Sequence, residues 1–177
     1  MMRPLMFAVC LAPGLAFAAG GGSSSPPTPT ETTTTCSNGQ VWDAGKGACV
    51  NPQSGALDAD TLYEAVRELA YAGQYQNAQK VLAAMPDQTD DRVLTYWGFT
   101  ERKLGDVPSG MAYYAKALDA NPNNSLARSY MGQALVEHGD LAAARVQLEA
   151  IRASGDTGTW PEEALARALS TGSTYSY

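Results

Sequence analysis

The sequence predicts an all-α fold: about three stacked helix–turn–helix units, followed by one closing helix. Three observations carry this. Gly98, Gly105 and Asp106 recur 34 residues later as Gly132, Gly139 and Asp140, and Tyr96 recurs as Tyr130. A fixed period of this length marks a supersecondary unit stacked on copies of itself. Apolar residues fall at helical spacing, with Leu62, Val66 and Leu69 in one stretch and Leu94, Trp97 and Leu104 in the next. Thr159-Trp160-Pro161-Glu162-Glu163 opens a further helix after the last unit. A repeat array works through its surface, so the fold class also sets the kind of function to expect.

The elements follow in chain order. Residues 1–18 read as a secretory signal peptide: Arg3 supplies the positive start, Leu5 to Phe17 the apolar run, and Ala16-Phe17-Ala18 a small-x-small cleavage site. The run is short for a membrane span and is interrupted by Pro13 and Gly14. Cys10 raises a lipoprotein alternative, but the residues before it make a poor lipidation box. Residues 19–35, rich in Gly, Ser, Pro and Thr, have no side chains able to build a core, and a flexible linker is expected there.

Cys36 and Cys49 bracket the next segment, residues 36–54. With Cys10 removed in the leader they are the two remaining cysteines, and an exported chain would join them in a disulfide. The loop then reads as a stapled turn with Trp42 packed across it. Its alternative reading is a small glycan- or wall-binding module. The localisation expected is periplasmic or secreted.

Residues 55–170 form the helical domain. Gly105-Asp106 and Gly139-Asp140 each end one helix and start another, with glycine past the C-terminal end and aspartate as N-cap. Pro108 falls in the first turn of its helix, where a missing N–H does no harm. Gly98 and Gly132 lie inside helical patterns, where glycine costs about 1 kcal/mol against alanine. A packing reason is therefore expected at both. The first unit is 32 residues long, counted from Gly73 to Gly105, so a shortening is expected near Met85-Pro86. Ala164, Leu165, Ala168 and Leu169 place an apolar face on the closing helix. Residues 171–177 are expected to be a disordered tail.

The second unit, Leu94 to Pro122, resembles the tetratricopeptide repeat. Leu94, Trp97, Gly98, Gly105, Tyr114, Ala117 and Pro122 fill the family's positions, while Glu101 and Gly110 depart from them. Met131, Gly132, Leu135, Gly139, Ala144, Leu148 and Ile151 do the same in a third unit, which lacks the closing proline. Gly73-Gln74-Tyr75 with Ala78 marks a weaker first unit. The resemblance implies a right-handed superhelix whose first helices line a concave groove that holds an extended peptide.

Carried over residue by residue, that groove and its flanks would present Tyr63, Arg67, Tyr71, Arg92, Tyr96, Phe99, Arg102, Lys103, Tyr130 and Gln133. The Lys and Asn pair with which some members clamp a terminal carboxylate is absent. The remaining aromatic and basic strip points to a protein or peptide segment, acidic for preference; the alternative is that these residues only solvate the helices or pack between units. Self-association is a further expectation for a chain with so few repeats.

Composition narrows the alternatives. The net charge is −6 and no long basic run occurs, which speaks against nucleic acid as a partner. Catalysis is not expected. His138 is the single histidine, both remaining cysteines are committed, and no nucleophile elbow or phosphate-binding glycine loop occurs. No metal site or cofactor is expected either.

Overall fold

The computed structural model describes residues 26–174. The expected signal peptide, Cys10, the first part of the linker and residues 175–177 lie outside the described residues. The order is α1 (Glu31–Thr34), β1 (Val41–Asp43), β2 (Ala48–Val50), a 3-10 turn (Pro52–Ser54), α2 (Ala59–Tyr71), α3 (Tyr75–Leu82), α4 (Asp91–Lys103), α5 (Val107–Ala120), α6 (Ser125–Glu137), α7 (Leu141–Ala153) and α8 (Trp160–Thr171). Three helix pairs, α2/α3, α4/α5 and α6/α7, stack in sequence, and α8 packs on α6 and α7. The all-α helical-repeat superhelix with a closing helix is therefore present.

The helices begin where the sequence supplies caps. Asp58, Asp90, Asp106, Asn124 and Asp140 each accept a hydrogen bond from a backbone N–H of the first turn that has no partner inside its helix. Gly105 (φ +100°) and Gly139 (φ +80°) reverse the chain between paired helices in the left-handed region that a side chain disfavours.

The glycines inside helices have their packing reason. A Cβ on Gly98 would lie 2.6 Å from two ring carbons of Tyr114 in α5 and 2.9 Å from the Gly110 carbonyl oxygen. A Cβ on Gly132 would lie 2.6 Å from both methyls of Leu165 in α8. The first glycine thus sets the approach of α4 to α5, and the second that of α6 to the closing helix. Leu165, Ala164 and Ala168 are buried, as the apolar face of a closing helix requires.

The N-terminal region departs from the expected linker. Within 26–35, the run Glu31–Thr34 is a helical turn fastened to α2 by the Glu68 carboxylate. That carboxylate accepts from the Thr30 N–H (2.7 Å), the Thr30 hydroxyl (2.6 Å), the Thr33 N–H (3.1 Å) and the Thr33 hydroxyl. Thr32 is buried, and its hydroxyl accepts from the Trp42 N–H at 3.2 Å. Threonine hydroxyls, which cannot build an apolar core, anchor the turn by hydrogen bonding instead.

The disulfide joins Cys36 and Cys49, and β1 pairs antiparallel with β2 so that Trp42 faces Cys49 across the hairpin. Val41, on the opposite side of the strand, enters the main core. The stapled segment is thus packed onto the first helix pair, at the end of the array opposite α8. At the C-terminus Thr171 still belongs to α8, and the Thr174 hydroxyl donates to Glu137, so ordered chain continues past residue 170. Among the described residues, no helix is long and apolar enough to cross a membrane.

Candidate functional site

The first helices α2, α4 and α6 run side by side, as the resemblance implied. Their facing side chains do not leave an open groove. Tyr63, Arg67, Tyr96, Phe99, Arg102, Tyr130 and Gln133 are all buried. Phe99 and Tyr130 meet with ring centroids 4.6 Å apart, and Tyr96 stands edge-on to Tyr63 at 5.7 Å and to Tyr130 at 6.3 Å. Trp160 of α8 closes the set, 6.2 Å from Tyr130 and 6.0 Å from Tyr71, and the Tyr71 and Tyr130 hydroxyls are 3.2 Å apart. Gln133 donates to the Ser129 hydroxyl inside its own helix.

These contacts correct the expected solvent-facing strip. Large aromatics on three tightly approaching helices satisfy one another and become core. Of the ten residues, Tyr71, Arg92 and Lys103 remain half-exposed at its margin.

The basic character of the strip is neutralised in the same way. Arg67 pairs with Glu64 at 2.7 Å, Arg92 with Asp90 at 3.0 Å and Asp60 at 3.5 Å, and Arg102 with Glu137 at 3.2 Å. Arg92 also lies over the Tyr63 ring, 4.7 Å from its centroid. Burial pulls the Arg67 pKa down, but Tyr96 and Glu64 beside it more than compensate and leave it raised. Burial, with the neighbouring Arg102 charge, lowers the Lys103 ammonium below its ordinary value. Burial pushes the Tyr63, Tyr96 and Tyr114 phenols up, so none of them is a source of protons or of phenolate. The Tyr96 and Tyr114 hydroxyls lie beside the Arg67 and Arg102 guanidiniums without a hydrogen bond of good geometry.

Two open pockets lie elsewhere. The larger, 620 Å³, is lined by Leu94, Trp97, Tyr113, Lys116, Asp119 and the Gln88-Thr89 turn before α4. Trp97 and Tyr113 are stacked with centroids 5.9 Å apart, and the Trp97 indole N–H donates to the Gln88 side chain at 3.2 Å. Sequence reasoning placed Trp97 only as a repeat-defining residue and passed over Tyr113. The available signal was the two-residue deficit in the first unit, close to the α3–α4 connection whose Gln88 and Thr89 line the pocket.

The smaller pocket, 430 Å³, lies where the disulfide hairpin meets α3 and is lined by Asn38, Gln40, Asn51, Gln53 and Lys80. Lys80 donates to the Asn38 carbonyl oxygen and Gln53 to the Lys80 carbonyl oxygen, which holds the hairpin in place.

His138 sits at the C-terminal end of α6 with its ring Nδ1 against the Ala134 carbonyl oxygen at 2.9 Å. Among the described residues, no group of three or more His, Cys, Asp or Glu side chains is placed to hold a metal ion.

The comparisons with known proteins agree with the geometry. A family model described as tetratricopeptide repeat matches residues 101–169, from the end of α4 through most of α8. No curated protein and no solved structure matches the chain.

Proposed function

We propose that the chain, whose residues 101–169 match the tetratricopeptide-repeat model, acts as a non-catalytic, exported scaffold that holds a segment of an envelope or secreted partner. The stacked helix pairs carry this reading, since repeats of this family serve protein–protein interaction. Export is supported by the leader-like sequence of residues 1–18 and by the Cys36–Cys49 disulfide, which suits an oxidising compartment.

The partner-facing part is the margin of the first-helix face, where Tyr71, Arg92 and Lys103 stand half-exposed near the exposed carboxylates Asp60, Glu64 and Glu137. This margin carries both signs of charge. It therefore favours a segment with alternating charges over the purely acidic one that the sequence suggests. The test is a photo-crosslinking amino acid placed at Arg92 or at Lys103, with Glu149 on the exposed side of α7 as control, in cells expressing the exported chain. One defined partner crosslinked from positions 92 and 103 but not from 149 supports the scaffold. Crosslinks from 149 alone overturn the assignment of the face.

A second reading rests on the smaller pocket. Four side-chain amides beside a lysine offer hydrogen-bond donors and acceptors of the kind that match sugar hydroxyls. On this reading the hairpin contacts glycan or peptidoglycan. Retention on purified peptidoglycan that is lost in the double variant Gln40→Ala/Asn51→Ala would support it, and equal retention of the variant would end it.

A further inference from the structure

Glu137 joins three elements at the margin of the first-helix face. One of its carboxylate oxygens accepts from Arg102 Nη1 of α4 at 3.2 Å, and the other accepts from the hydroxyl of Thr174, beyond α8. The Arg102 side chain is only 2% exposed, and its Nε and Nη2 make no hydrogen bond of good geometry among the described residues. A buried guanidinium that depends on one carboxylate holds that carboxylate in place, since losing it would leave the charge uncompensated. Glu137 itself is exposed, so its second oxygen is a fixed acceptor at the surface. The Lys103 ammonium, on the same margin, lies within reach of its charge.

The chain after α8 is directed onto this acceptor. Leu169, in the last turn of α8, packs with Leu135 and Val136, so α8 ends beside the end of α6. Gly172 (φ +70°) closes the helix in the left-handed region, and its N–H donates to the Ala168 carbonyl oxygen at 2.9 Å. The Thr171 hydroxyl donates to the Arg167 carbonyl oxygen at 2.9 Å and accepts from the Ser173 N–H at 3.2 Å. The reversal is thus set by the last residues of the helix. Residues 170–173 are exposed, yet Thr174 is half-buried, so the chain returns to the protein where Glu137 lies. The buried apolar residues that dock α8 end at Ala168. The Thr174 contact therefore lies outside the interface that holds the helix.

We propose that Ser173–Thr174 is an intramolecular occupant of the partner-facing margin, keeping the Glu137 seat filled until a partner segment displaces it. This rests on the scaffold reading above. An incoming segment must bring its own donor to Glu137, and the seat already accepts a hydroxyl carried on an extended stretch. Occupancy by the chain itself lowers apparent affinity by the fraction of molecules whose seat is open. One net hydrogen bond moves such an equilibrium by about two- to tenfold, enough to compete and not enough to block.

The experiment places the photo-crosslinking residue at position 103, first in the purified chain alone and then in cells. In the purified chain, irradiation should join position 103 to the chain after Thr171, mapped by mass spectrometry of the digest. Position 149 should give no such product. Thr174→Val removes only a hydroxyl from a residue outside every helix, so it leaves the fold intact. It should reduce the internal product about two- to tenfold and raise the partner yield in cells by a similar factor. Absence of the internal product, or a product indifferent to Thr174→Val, overturns the proposal. A partner captured equally by parent and variant also overturns it and leaves the scaffold reading standing. Absence of any partner from positions 92 and 103 in both chains ends the scaffold reading and the displacement with it; the internal product would then mark a structural contact alone.

Discussion

Adding one methyl group at Gly98 tests the packing argument most directly. An alanine Cβ there would sit 2.6 Å from two ring carbons of Tyr114 and 2.9 Å from the Gly110 carbonyl oxygen. Tyr114 is fully buried and Gly110 presents backbone, so neither can move aside without separating α4 from α5. Overpacking of this kind costs about 1–3 kcal/mol. Alanine returns about 1 kcal/mol of helix propensity. Because neither neighbour can yield, the cost falls in the upper half of that range, about 2–3 kcal/mol, and the net expectation is a loss of about 1–2 kcal/mol, which for a domain of this size lowers Tm by roughly 2–8 °C.

Gly132→Ala is the matched control. It has the same gain in propensity and the same 2.6 Å approach, but its neighbours are the methyls of Leu165, the far end of a flexible side chain. A rotamer change relieves much of that clash, so the net effect should stay within about 1 kcal/mol of zero. Thermal unfolding followed by far-UV circular dichroism reads both. A Gly98→Ala variant as stable as the parent, or a Gly132→Ala variant that loses more, would refute the claim that the α4–α5 approach is fixed by a rigid neighbour.

Other outcomes follow from the same contacts. Leu165→Ala should cost about 2–5 kcal/mol, because the side chain is fully buried between the last pair and the closing helix; an unchanged Tm would mean that α8 does not dock. Reducing the Cys36–Cys49 bridge should remove about 3 kcal/mol of chain-entropy stabilisation and free the hairpin, seen as faster amide exchange over residues 36–54; alkylation of the unreduced protein should modify no thiol. Glu68→Ala should release the Thr30–Thr33 turn, and proteolysis should then cut near residue 35 while helical content stays unchanged; equal resistance in both proteins would refute the anchor. Hydrogen bonds from Thr61 and Ser109 hold the N-cap carboxyls of Asp58 and Asp106 below the ordinary aspartate value of 3.8. A carboxyl depressed in the folded state stabilises it above the unfolded pKa and loses that contribution as pH falls through the folded value. Stability should therefore be level near neutrality and decline below about pH 4; a decline that begins near pH 6 would point to other groups.

The sequence by itself determined the helix pairs, the turns inside the second and third of them, and the closing helix. It could do so because these are local matters: an aspartate or asparagine caps the turn beside it, a glycine reverses the chain where it stands, and a 34-residue period repeats both. It also placed the disulfide: of three cysteines Cys10 falls in the expected leader, and the other two leave one pairing. The fate of the first-helix face was decided only by tertiary structure. Whether Tyr96, Phe99 and Tyr130 line a groove or fill it depends on how closely three helices approach, and on Trp160 arriving from α8 to meet Tyr71 and Tyr130. The charges followed the same rule, because Arg102 finds Glu137 one helix away and Arg92 finds Asp60 across the α2–α4 seam. A threonine-rich run reads as linker until a buried glutamate 38 residues later is seen to accept its hydrogen bonds. In each case the deciding partner lies far along the chain, and periodicity carries no information about side chains that meet across helices.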